Sequence, residues 1–195
     1  MSSAPVNLSK VGEQAFNKID KVNSELLTLT YGSLVVQLLQ DLKKPEEVNV
    51  QLDKMGYNIG LRIVEEFLAR SGVGSRPCKD LAETAETLAK VAFKMFLNVN
   101  AAVSPSNAAQ INEKKEFSIV FDKNPLSEFA ELPEQYMGKL HFSNILCGVI
   151  RGALEMLQMK VECKFVQDTL SGASVNEIKV ILKELLSEEK PPEMD

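Results

Sequence analysis

The sequence predicts an α+β layer fold with an antiparallel sheet. Segments whose apolar residues recur at helical spacing come first, up to about residue 98. Segments that alternate like strands come mostly later and lie close to one another in the chain. Strands that are near neighbours in sequence favour antiparallel pairing, so a doubly wound parallel sheet is not expected.

Three helices are expected in the first half of the chain. Apolar residues recur at near-helical spacing from residue 19 to residue 40. A second helix is expected to about residue 70, because Pro45 stands at an early helical position and two acidic residues follow it. Residues 71–77 contain Gly, Ser and Pro and predict a turn, after which a third helix is expected from near residue 78 to near residue 98.

The second half of the chain is expected to supply the sheet. Residues 99–115 are small and polar and predict a loop. Strands are predicted at 117–121, 161–166 and 178–182, with a short partner strand at 129–132, and a fourth helix is predicted at 142–158. The domain organisation predicted from this pattern is a flexible arm over residues 1–17, a single domain over 18–186 and a disordered acidic tail over 187–195.

Composition and charge argue against several classes of function. The chain has 195 residues, with 22 Lys and Arg against 27 Asp and Glu and a net charge of −5. Because phosphate binding needs clustered basic residues, nucleic acid is not an expected partner. The one histidine and three scattered cysteines offer no metal-binding spacing, so no metal is expected. The sequence contains no run of eighteen apolar residues, so a cytosolic location is expected.

A cysteine and a series of alanines share one helical face. Five residues separated by 4, 3, 4 and 3 positions form one stripe on this face: Cys78, Ala82, Ala85, Ala89 and Ala92. Such a stripe leaves a groove about 21 Å long, and one leaflet of a bilayer is about 15 Å deep. The groove therefore has the length to hold an acyl chain attached to Cys78 as a thioester. Alternatively, the alanines pack against a neighbouring helix and Cys78 is a small apolar residue; spacing alone leaves both interpretations open.

Two further patterns suggest close contacts between helices. Gly56 and Gly60 have the GxxxG spacing, and so do Gly148 and Gly152. Because these helices carry too many charges to span a membrane, the spacing predicts that two soluble helices approach closely, within the chain or at another subunit. Arg151 lies four residues before Glu155, which is typical of an exposed ion pair, and a buried contact at a subunit interface is the alternative.

Several blocks of the sequence occur in the same order in one known family. They are QLDKMGYNIG at residues 51–60, EFLARS at 66–71, ETA at 83–85, AKVAFKM at 89–95, NPL at 124–126, ELP at 131–133, CGVIRGALEM at 147–156 and FVQDTL at 165–170. Over roughly residues 20–185 the chain resembles the Bet-three branch of the transport protein particle (TRAPP) family.

The resemblance implies an α+β fold with helices packed on one face of a twisted antiparallel sheet. It also implies a structural, non-catalytic subunit of a multisubunit complex. Such complexes tether vesicles in endoplasmic-reticulum-to-Golgi transport and act as nucleotide exchange factors for a Rab-type GTPase, to which this subunit would contribute contacts. The implied partners are other TRAPP subunits, in a homodimer or in a heterodimer with a sister subunit, the GTPase through the complex, and the Golgi membrane indirectly. The implied location is cytoplasmic, peripheral at cis-Golgi and endoplasmic reticulum membranes.

The resemblance also implies a covalently bound acyl chain. The family's acylated cysteine aligns with Cys78, and its palmitate or a similar chain occupies an internal hydrophobic channel. The helix facing that channel aligns with residues 78–96, so the implied channel-lining residues are Ala82, Ala85, Leu88, Ala89 and Ala92. Two other functions are alternatives: a stand-alone acyl-binding or self-acylating lipid carrier, and an enzyme that uses Cys78 as its nucleophile.

Overall fold

The computed structural model describes residues 7–73 and 78–186. Its helices and strands, in chain order, are α1 (Leu8–Lys18), α2 (Ser24–Leu42), α3 (Pro45–Arg70), α4 (Leu81–Thr87), a π-helical turn (Leu88–Ala92), α5 (Phe93–Leu97), β1 (Ala102–Ser104), α6 (Ala108–Lys114), β2 (Glu116–Phe121), α7 (Ile145–Met156), β3 (Met159–Gln167) and β4 (Asn176–Leu185). Short 3-10 turns lie at Glu134–Tyr136 and Thr169–Ser171. Within these ranges no helix is long and apolar enough to cross a bilayer.

The four strands form one antiparallel sheet in the order β1-β2-β4-β3. One face is buried, where Ile178 and Val180 of β4 lie between β2 and β3. The other face carries cross-strand ion pairs such as Lys183–Glu162, in which Nζ and Oε2 are 2.6 Å apart. Because α4 contacts β1 and β2 while α7 contacts β3, the helices cover the apolar face. The predicted α+β fold is confirmed.

The two glycine pairs bring α3 and α7 into backbone contact. A Cβ atom at any of the four glycines would overlap the backbone of the facing helix; for example, one at Gly56 would meet the carbonyl oxygen of Ile145, and one at Gly148 that of Asp53. The predicted close approach of two helices is therefore confirmed, and the partner helix lies in the same chain. This crossing fixes α7 against α3 and sets one wall of the interior.

Arg151 does not form the expected pair with Glu155. Its Nη2 lies 2.5 Å from Oδ2 of Asp53, and its guanidinium stacks on the Tyr57 ring, 4.4 Å from the ring centroid. Glu155 instead accepts a hydrogen bond from the Tyr57 hydroxyl at 3.0 Å. Sequence spacing suggested a pair within α7, but the close crossing brings the polar side chains of α3 within reach. This polar cluster ties the two helices together along one side of the glycine contact.

Three segments differ from the sequence-based expectation. Residues 8–18, expected within the flexible arm, form α1, which packs on the π-helical turn and α5. Leu8, Val11 and Ala15 recur at helical spacing in this segment, although the helix buries only two small residues, Gly12 and Ala15. The expected loop at 99–115 contains β1 and α6, and the expected strand at 129–132 is irregular. Residues 1–6, the turn residues 74–77 and the tail at 187–195 lie outside the described residues.

Candidate functional site

A large apolar cavity lies between the helices and one end of the sheet. Its volume is about 1100 Å³, slightly above the roughly 300–1,000 Å³ typical of small-molecule sites. Each surrounding element contributes an apolar wall: Ile63 and Phe67 come from α3, Val149 and Ala153 from α7, and Leu182 from β4. An interior of this size lined by such side chains fits a long apolar ligand.

The cavity is open to solvent along part of its wall. Several lining residues are also exposed, among them Ile59 and Leu68 of α3 and Leu185 of β4, whose exposed fraction is 67%. Large apolar side chains that stay in contact with water are unfavourable by about 25 cal/mol per Å² of apolar surface. An apolar ligand in the cavity would remove part of this surface from water.

Cys78 lies at the polar end of this cavity, just before α4. The Asp80 side chain accepts a hydrogen bond from the Glu83 amide at 2.9 Å, and the Glu83 carboxylate accepts one from the Lys79 amide at 2.7 Å. This reciprocal cap starts the helix at Leu81, three residues later than the sequence suggested. Cys78 is therefore exposed and outside the helix, although it still lines the cavity.

Two buried threonines of α4 face the cavity near Cys78. The hydroxyl of Thr84 donates to the Asp80 carbonyl oxygen at 3.0 Å. The hydroxyl of Thr87 lies 3.7 Å from Sγ of Cys78. The other polar residues that line the cavity are Lys79, Asp80, Asn112 and Lys115. The remaining wall is aliphatic and aromatic. The cavity thus has a polar end, suited to a thioester, and an apolar body, suited to a hydrocarbon chain.

Only some of the residues expected to line a channel do so. Leu88 and Ala92 line the cavity, whereas Ala82, Ala85 and Ala89 are buried in the core away from it. Ala82, for instance, donates its amide to Asn112 Oδ1 of α6 at 3.1 Å. The expectation is therefore corrected for those three alanines.

The π-helical turn explains which face of this segment meets the cavity. The amide of Phe93 donates to the carbonyl of Leu88, five residues earlier, so this turn holds an extra residue. Cavity-facing residues of this segment are therefore separated by 3, 4, 4 and 4 positions. They are Leu81, Thr84, Leu88, Ala92 and Phe96. Ala82, Ala85 and Ala89 lie outside this series, so the alanine stripe does not coincide with the cavity-facing side.

Most of the residues that line the cavity were not predicted from the sequence. Ile59, Ile63 and Phe67 were recognisable by helical spacing as the apolar side of α3, but spacing does not distinguish a cavity wall from a solid core. Thr87 carried no recognisable signal, because its relation to Cys78 depends on the turn that precedes α4. Only the tertiary structure shows that these α3 residues line a cavity and that Thr87 lies beside Cys78.

Tyr31 closes the cavity on the α2 side. Its hydroxyl donates to the carbonyl oxygen of Phe142, and the two rings meet edge to face with centroids 5.3 Å apart. Burial raises the pKa of the Tyr31 hydroxyl well above its usual value, so the group stays neutral. Tyr31 therefore acts as a fixed, uncharged part of the wall.

The other two cysteines are placed differently from Cys78. Cys147 is buried in α7, and burial raises its pKa well above the usual range. Burial likewise raises the pKa of Cys163 on β3. Since the thiolate is the reactive form, these two thiols are poor nucleophiles. Among the described residues, no group of three or more His, Cys, Asp or Glu side chains is arranged to hold a metal ion.

Comparison with known proteins identifies the family. The family model described as "Transport protein particle (TRAPP) component" matches residues 27–181. The chain belongs to the TRAPP family. It is 58% identical over 182 residues to the Trafficking protein particle complex subunit 3 of Dictyostelium discoideum, covering 93% of this chain and 95% of that protein. It is 46% identical over 187 residues to the Trafficking protein particle complex subunit BET3 of Saccharomyces cerevisiae, covering 95% and 94%.

A solved structure of a TRAPP relative bears on the cavity. The crystal structure of a trafficking protein particle complex subunit 3 from Naegleria fowleri is covalently bound to palmitic acid. It superposes with a TM-score of 0.80 at 52% identity, covering 87% of this chain and all of that one (100%). A close TRAPP relative thus carries the kind of ligand that the shape and lining of this cavity fit.

Proposed function

We propose that this chain is a structural subunit of a TRAPP-type vesicle-tethering complex that holds an acyl chain, as a thioester at Cys78, inside its apolar cavity. The observation that carries the proposal is the position of Cys78 at the polar end of a cavity of about 1100 Å³. The palmitate covalently bound to the relative from Naegleria fowleri supports the same chemistry. The acyl chain would then be part of the folded interior of the subunit.

The energetics favour a buried chain over a loose membrane anchor. Burying a methylene group is worth about 0.8 kcal/mol in the cavity as in a bilayer, so about fourteen methylenes contribute roughly 11 kcal/mol before entropy losses in either case. The difference comes from the cavity wall. The alternative, with the chain in a bilayer, would return the cavity wall to water. A palmitoyl or similar group at Cys78 therefore acts as part of the core.

The proposed cellular role follows from the family. The partners would be other TRAPP subunits, in a homodimer or in a heterodimer with a sister subunit, a Rab-type GTPase reached through the complex, and Golgi membrane indirectly. The chain would support nucleotide exchange by contacts rather than by chemistry, in endoplasmic-reticulum-to-Golgi transport. It would be cytoplasmic and peripheral at cis-Golgi and endoplasmic reticulum membranes. Co-purification of sister subunits from cells supports this role, and isolation as a monomer alone favours the stand-alone lipid carrier.

The acyl site is tested by intact-mass spectrometry of protein isolated from eukaryotic cells. Wild-type protein should carry one acyl group that hydroxylamine removes, and Cys78→Ser should carry none. Ala92→Leu should strongly reduce acylation because Ala92 lines the cavity and the larger side chain occupies part of its volume. Ala109→Leu, on the exposed side of α6, is the matched control and should be acylated like the wild type.

Removal of the acyl chain should also lower thermal stability. We expect the melting temperature to fall by about 5 °C or more after hydroxylamine treatment, since a few kcal/mol correspond to several degrees in a chain of this size. An unmodified wild-type mass, or acylation that persists in Cys78→Ser, would contradict the proposal.

A further inference from the structure

We propose that Thr87 is a positioning residue for acyl transfer to Cys78, an inference that rests on the proposed function of the cavity. The Thr87 hydroxyl oxygen lies 3.7 Å from Sγ of Cys78, within the range of a hydrogen bond to sulfur. Thr87 is only 8% exposed, whereas Cys78 is exposed. A fixed, buried group thus holds an otherwise exposed thiol.

The other threonine of the cavity makes a different contact. The Thr84 hydroxyl is already engaged with the Asp80 carbonyl oxygen at 3.0 Å. Cys78 lies outside α4 and is not held by helical hydrogen bonds, so its side chain needs another contact to stay directed toward the cavity. Of the two threonine hydroxyls that line the cavity, the one on Thr87 supplies it.

The chemical step is a thioester exchange with a long-chain acyl thioester as the donor. Sγ of Cys78 attacks the acyl carbon, the new Sγ–C bond forms, and the bond from that carbon to the donor sulfur breaks. The proton of the Cys78 thiol ends on the departing thiol, so atoms and charge balance. By restraining Sγ beside the cavity, Thr87 increases the fraction of time in which a chain lying in the cavity meets the sulfur.

This role is tested by the kinetics of acylation. The full-length protein, freed of acyl groups with hydroxylamine, is mixed with palmitoyl-coenzyme A, and the initial rate of Cys78 acylation is followed by intact mass over a range of donor concentrations. Thr87→Val keeps the shape and removes the hydroxyl, so the maximal rate should fall about fivefold, the effect of one hydrogen bond. The half-saturating concentration should stay within about twofold, because the walls that contact the chain are unchanged. Thr87→Ser should restore the maximal rate.

A control separates positioning from a general loss of stability. Thr28 is also buried, donates to the Pro125 carbonyl oxygen at 2.6 Å and does not line the cavity. Thr28→Val should therefore lower stability without slowing acylation. If Thr87→Val fails to fold, Thr87→Ala is measured against Thr87→Ser with the same expectation.

The outcomes distinguish this inference from the proposed function. Wild-type acylation at Cys78 with equal maximal rates for Thr87→Val and wild type overturns the inference and leaves the proposed function standing. A rise in half-saturating concentration with an unchanged maximal rate assigns Thr87 to the cavity wall and also overturns it. A wild-type protein that takes up no acyl group overturns both.

Discussion

Asp168 is a carboxylate buried at the turn between β3 and β4, with an exposed fraction of 7%. Its Oδ1 accepts a hydrogen bond from the Leu170 amide at 2.9 Å. Burial raises the pKa of Asp168 above its usual value, although this hydrogen bond and the nearby His141 act in the opposite direction. The raised pKa means that the fold favours the neutral carboxyl over the carboxylate.

The charge on Asp168 is therefore expected to make stability depend on pH. A group whose pKa is raised by folding supports stability below its unfolded pKa, and that support is lost as pH rises through the folded pKa. Asp168→Asn keeps the acceptor for Leu170 without the charge. Its stability relative to wild type should increase as pH rises from about 3 to 7, measured by urea unfolding at each pH. Asp122→Asn, at an exposed position, is the control, and a pH-independent difference for Asp168→Asn would contradict the expectation.

At the same scale, the sequence identified Cys78 but not its surroundings. A thiol before a set of small residues is visible in the sequence, and the resemblance pointed to the same residue. Thr87 was not predicted, since its contact depends on how the chain enters α4. Ala89 was misplaced because regular helical spacing does not reveal a π-helical turn.

The crossing of α3 and α7 is the element that depends most on residue size. A Cβ at Gly56 would overlap the carbonyl of Ile145, which belongs to the backbone and cannot turn aside like a side chain. We expect Gly56→Ala to lower the free energy of unfolding by about 3 kcal/mol, measured by chemical denaturation, because the helices must move apart. Such a shift would also disturb the cavity wall that α3 and α7 share.

Gly32 provides the matched control for this prediction. It lies within α2, and a Cβ there would meet nothing within 4 Å. Gly32→Ala should therefore raise stability by up to about 1 kcal/mol through helix propensity alone. Equal effects of the two substitutions would show that the α3–α7 contact does not require glycine.

The elements best predicted were those with a strong, unambiguous pattern. Helix α3 has long apolar periodicity and a proline start, and the pair β3 and β4 alternates clearly. Helix α1 has apolar residues at helical spacing that the prediction did not use, and α6 is too short to give a pattern. Phe129 suggested a strand in the segment 129–132, but its side chain is 57% exposed and the segment is irregular. In such segments the local sequence preference does not determine the secondary structure, because tertiary contacts determine it.

At the scale of the whole molecule, residues 7–73 and 78–186 expose a second apolar surface, separate from the cavity. On α2, Leu26, Leu29 and Val36 lie 3 and 7 residues apart on one helical face and are 65%, 62% and 54% exposed. An exposed apolar face of this kind is typical of an interaction site. We propose this face as the candidate interface of the proposed dimer.

A charge on this face should disrupt the dimer without unfolding the protein. In a two-fold symmetric dimer each substituted residue occurs twice, so Leu26→Glu should weaken association by about 100-fold or more. Analytical ultracentrifugation should find wild type as a dimer and Leu26→Glu as a monomer at micromolar concentration, with unchanged circular dichroism. Val50→Glu, which alters an exposed apolar residue of α3, should leave the dimer intact. Wild-type protein that sediments as a monomer, or equal dissociation by Val50→Glu, would show that the α2 face does not form a homodimer interface.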